Sequence, residues 1–104
     1  MAEFPFTDLH SFKDFVVFVR VFAPDRFPVR EGLPVEDQWN LDLAFSGLRE
    51  GIALAIREKG EREEFMESAR LIESAYAHYK AGNRKGGFFD LAAAHTVLRR
   101  VQSR

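Results

Sequence analysis

Cysteine is missing from this chain altogether, which removes disulfides, thiolate metal sites and cysteine nucleophiles together. That composition suits a reducing compartment, and a cytoplasmic setting is the expectation. A cationic surplus is missing too: 15 basic residues stand against 16 acidic ones, a formal net charge of -1. Domains that grip nucleic acid ordinarily carry a basic excess to neutralise phosphates, so nucleic acid is not expected as the main partner. No apolar run approaches the ~20 residues that span a bilayer, and FVVFV is ended by Arg20. The opening stretch MAEFPFTDLH places Glu3 where an export signal would have cations, so neither export nor a membrane is expected.

What is present is phenylalanine, 11 residues of it, seven within the first 27. The segment DLHSFKDFVVFVRVFA fits strand or helix on propensity alone. Helical phasing gathers Leu9, Phe12, Phe15, Val16, Val19, Phe22 and Ala23 on one face, with His10, Lys13 and Asp14 on the other. No second strand-like segment exists to pair with it, and a lone strand would leave its backbone polar groups unsatisfied. A helix over 8–23 is therefore predicted, capped by Thr7. The 104 residues then read as a single helical domain with further helices over 34–59, 62–81 and 84–101. Pro34 is placed as the first residue of the second helix, with Glu36 and Asp37 at its positive end. Gly60 and Gly82 close the second and third, and Asn83 caps the fourth. Connections this short make neighbours antiparallel, so the predicted fold is all-α, a compact four-helix bundle-like domain.

The second helix carries a main stripe of Leu41, Phe45, Leu48, Ile52 and Ile56, beside a line of small residues, Ala44, Gly47, Gly51 and Ala55. Glycine inside a helix costs up to about 1 kcal/mol against alanine, so close approach of a neighbouring backbone, or of the bulky Phe side chains of the first helix, is expected to offset it. On the other side stand Trp39, Leu43 and Leu54, outside the main stripe, and in the fourth helix Phe89 points away from the stripe of Gly87, Leu91, Ala94, Leu98 and Val101. These four apolar residues are the candidate partner-binding positions, for another protein or a second copy forming a homodimer. Lys80, Arg84 and Lys85, around the third turn, are candidate anion-binding residues, the basis of an alternative reading as an anion or RNA binder. The glycines there do not make a phosphate loop, which follows a strand and ends in Lys-Ser or Lys-Thr.

Chemistry is otherwise thin. His10 and Asp14 share a helical spacing but supply only two ligands, and His78 and His95 fall at different heights on antiparallel helices, so no metal and no cofactor is expected. No carboxylate falls in an apolar stripe where burial would raise its pKa for acid catalysis, so no catalytic residue is nominated.

The stretch LIESAYAHYKAGNRKGGFFDLAAAHTVL, residues 71–98, resembles a single tetratricopeptide-type helical hairpin at Ala75, Tyr79, Gly82, Asn83, Leu91 and Ala94. It departs from that pattern at Gly87 and His78 and lacks the closing proline. The resemblance implies hairpin geometry and a bias towards binding other proteins; no ligand residues carry over.

Overall fold

A computed structural model describes residues 4–103; Glu3, read above against an export signal, lies outside them. Four helices follow in order: α1 (Leu9–Phe22), α2 (Leu41–Lys59), α3 (Glu63–Lys80) and α4 (Arg84–Arg99), with a single 3-10 turn, Val35–Asp37, before α2. The fold is all-α, a small antiparallel helical bundle, with no strand among the described residues. Each helix packs on two neighbours: α3 with α4 most extensively, then α1 with α4, α2 with α3, and α1 with α2. The helices α2 and α4 lie diagonally across the bundle, each flanked by α1 and α3.

The apolar stripes explain the packing. Leu9, Phe12, Phe15, Val16 and Val19 of α1 are buried, and the small-residue line of α2 receives the rings of Phe12 and Phe15. A Cβ at Gly51 would overlap the Phe12 ring, and one at Gly47 would lie 2.8 Å from the rings of Phe15 and Phe4. Absence of side chains here lets aromatic rings seat against the α2 backbone, at native packing density. In the α3–α4 hairpin the same role falls to Ser68, Ala75, Ala94 and Gly87, all buried.

Local signals set the ends. Asp8, not Thr7, caps α1: its carboxylate accepts from Ser11 N at 2.8 Å, while Ser11 Oγ accepts from Asp8 N at 3.2 Å, a reciprocal capping box. The amide of Leu9, otherwise an orphan of the first turn, donates to Glu58 of α2 at 3.1 Å. Gly60 and Gly82 both take positive φ (84° and 81°), Gly60 as the C-cap of α2 and Gly82 one residue past the α3 cap, Ala81. The side chain of Asn83 accepts from Gly86 N at 2.9 Å and starts α4.

The second helix starts at Leu41, seven residues later than Pro34. Asn40 wins because its side chain accepts from Leu43 N at 2.8 Å, satisfying an orphan donor of the first turn. The residues before it are tied into a loop by Gln38, which accepts from Arg30 N at 2.6 Å and donates to the carbonyls of Arg30 and Leu33. A helix from Pro34 would gain nothing from Val35, which is 85% exposed. Trp39 consequently belongs to this loop and not to α2.

Candidate functional site

Where α1 ends and α4 begins, the fold leaves an open groove of about 410 Å³. The α4 side is shaped by Gly87, whose missing Cβ lets the Tyr79 ring of α3 lie directly on the α4 backbone. With Gly87, Leu91 and Ala94 turned to the core, the next two residues cannot both follow. Phe88 and Phe89 stay 43% and 57% exposed, their rings 5.7 Å apart edge to face. From α1 come Val21, 56% exposed, and the buried Ala23 beyond its end.

Four cations line this apolar floor: Arg20, Arg26, Arg84 and Lys85. The Arg20 guanidinium lies 5.7 Å from the Phe88 centroid and Lys85 Nζ lies 6.0 Å from that of Phe89. Arg84 donates to Asp25 at 3.2 Å, an exposed pair worth little in water. Two buried donors of this groove, Tyr79 OH and Arg20 Nε, have no hydrogen-bond partner among the described residues. Burial pushes the Tyr79 hydroxyl up to about 12, so it remains a protonated donor at neutral pH.

The geometry unites residues that sequence reasoning assigned to separate readings. Phe89, a candidate protein contact, shares one groove with Arg84 and Lys85, candidate anion ligands. Lys80 is elsewhere: its ammonium is 3.3 Å from Asp42 of α2 and sits over the Tyr76 ring. The Asp42 carboxylate holds the Lys80 pKa up, while the hydrogen bond donated by Tyr76 OH, and after it Lys80, holds the Asp42 carboxyl down from its ordinary value. Leu43 and Leu54, both half-buried, lie on α2, across the bundle from α4. Trp39 is half-buried amid Phe4, Phe15, Phe18 and Phe27, with ring centroids 5.3–6.4 Å away, and Arg30 stacks on it at 5.2 Å. The four candidate contact residues therefore do not form one surface. Arg20, Val21 and Tyr79 entered no sequence reading of a site, because only the crossing of α1 on α4 brings them together; the adjacent pair Phe88-Phe89 was the available signal.

One further cluster bears on chemistry. Asp90 accepts from Ser74 Oγ at 2.6 Å and lies 3.5 Å from His78 Nε2, while His78 Nδ1 faces Asn83 Nδ2 at 3.1 Å. A serine, an aspartate and a histidine thus meet, but the carboxylate sits in the middle. Activation of a serine needs the imidazole against its hydroxyl. Here the cluster fastens α3 to α4. Among the described residues no group of three or more side chains could hold a metal ion, and no helix is long and apolar enough to cross a membrane.

His95, half-buried on α4, has its pKa lowered, first by burial and then by the charges of Arg20, Arg99 and Lys13, with Asp14 opposing. The fold thus favours neutral imidazole, so the unfolded chain binds more protons between the folded value and ~6.5. Its contribution is full above pH 6.5 and is lost as pH falls through the folded pKa. His95→Gln is expected to reduce the drop in urea midpoint between pH 7.5 and 5.5; an unchanged drop would contradict the assignment.

No family model, curated protein or solved structure matches the chain.

Proposed function

We propose that this chain is a non-catalytic protein-interaction module, and that its recognition surface is the groove between α1 and α4. Its occupant is a partner segment that sets an apolar side chain beside negative charge. The observation that carries this is the placement of Val21, Phe88 and Phe89, all exposed, inside a rim of four cations. Exposed aromatics side by side offer an anchor that loses water on contact, and the cations steer and select an acidic partner. The tetratricopeptide-like character of residues 71–98 belongs to the same proposal, as does a cytoplasmic setting.

Selection from a random 12-residue peptide library tests it with the folded chain as bait. Peptides combining Asp or Glu with Leu, Ile or Phe are expected to enrich, and to bind more weakly as salt rises. Enrichment of basic or purely apolar sequences, or no enrichment, would reject the reading. A mass above that of the monomer with no peptide selected would give the groove to a second copy instead.

A further inference from the structure

Tyr79 and Arg20 come from different helices, yet each leaves one buried donor without a partner at the same groove. Buried polar groups are nearly always paired, so two orphaned donors on residues lining one groove point to an acceptor supplied from outside the chain. Tyr79 is 94% buried (6% exposed), so its hydroxyl cannot turn to water for compensation. The positive rim of Arg26, Arg84 and Lys85 fixes the sign that acceptor should carry.

We propose that the groove contains an oxyanion site in which Tyr79 OH and Arg20 Nε–H donate to the carboxylate of an acidic side chain of the partner segment. This rests on the docking reading above and names the chemistry of its anchor. The two donors lie beneath the groove surface, so the acceptor must reach down from a segment crossing the Phe88-Phe89 pair. A side chain can do that; a chain terminus would have to enter end on. Arg20 is the movable part, being half-buried with its guanidinium lying over the Phe88 ring. No covalent step is involved. The phenol stays protonated and the guanidinium charge compensates the carboxylate.

The probes are 4-methylpentanoate and its neutral amide, titrated into the ¹⁵N-labelled full chain at pH 7 while the amides of residues 20–23 and 84–89 are followed. The carboxylate is expected to bind at least tenfold more tightly than the amide. Tyr79→Phe should weaken the carboxylate at least fivefold, leave the amide unchanged and not lower the melting temperature, since the hydroxyl removed has no partner. Equal binding of the two probes, no binding of the carboxylate, or full carboxylate affinity in Tyr79→Phe overturns the site. If the probes fail while the library still yields acidic–apolar peptides, the docking reading survives and the anchor is wrong. If the carboxylate binds as described while no peptide is selected, the anchor survives and the docking reading falls. In a selected peptide, Glu→Gln at the anchor should cost at least fivefold and C-terminal amidation nothing; the reverse pattern rejects the side-chain source.

Discussion

Gly51→Ala is expected to destabilise the protein although it replaces the second-worst helix former with the best. On propensity alone the change in mid-α2 should gain about 1 kcal/mol. The added Cβ, however, overlaps the Phe12 ring, which is completely buried and packed edge to face with Phe6 at 5.3 Å. Forcing a methyl group into a filled core costs typically about 1–3 kcal/mol. For a seat this tight the upper end applies, so a net loss of about 2 kcal/mol is expected, or roughly 8–16 °C in a domain of this size. Gly47→Ala should cost less, because its contacts with Phe15 and Phe4 are longer and Phe4 is only half-buried. Phe12→Leu together with Gly51→Ala should cost clearly less than the two single changes added, since residues in contact do not behave independently. A Gly51→Ala protein that melts at or above the wild-type temperature would show that α1 does not seat on the glycine line.

Phe89→Ser acts in the opposite manner, leaving the fold alone and removing the binding. The ring is 57% exposed, so stability should change by no more than about 0.5 kcal/mol. Its removal from the centre of the docking surface should weaken a selected acidic–apolar peptide by about 2 kcal/mol, close to 30-fold. Trp39→Ser should do the reverse. Trp39 stands among four phenylalanines, so its loss opens the aromatic cluster and lowers stability, while peptide affinity measured at a temperature where the variant is folded stays near wild type.

That contrast also marks how far the sequence could be read. The four helices follow from 3.6-residue periodicity and from caps at Asn83, Gly60 and Gly82, all local signals. The role of Gly47 and Gly51 was legible as well, because two mid-helix glycines beside a Phe-rich helix need a neighbour to offset them. The start of α2 was not, since Pro34 with Glu36 and Asp37 makes as good a local start as Asn40. What decides between them is Gln38 bridging to Arg30 and Leu33, a contact among residues with no periodic pattern. Moving that boundary takes Trp39 out of the helix and off the face it was expected to share with Leu43 and Leu54. The groove was only half legible. Phe89, Arg84 and Lys85 each stood out, but their union with Arg20 and Val21 depends on where α1 crosses α4, which no local pattern encodes.

The central claim is that recognition occurs between α1 and α4, and an amide chemical-shift map of the ¹⁵N-labelled chain saturated with a selected acidic–apolar peptide tests it most directly. The largest shifts should fall on residues 20–26 and 84–89, with those around Trp39, Leu43 and Leu54 nearly unmoved. Shifts concentrated on Phe4, Trp39 and Leu43 instead would contradict the account and return the contact surface to the α2 side.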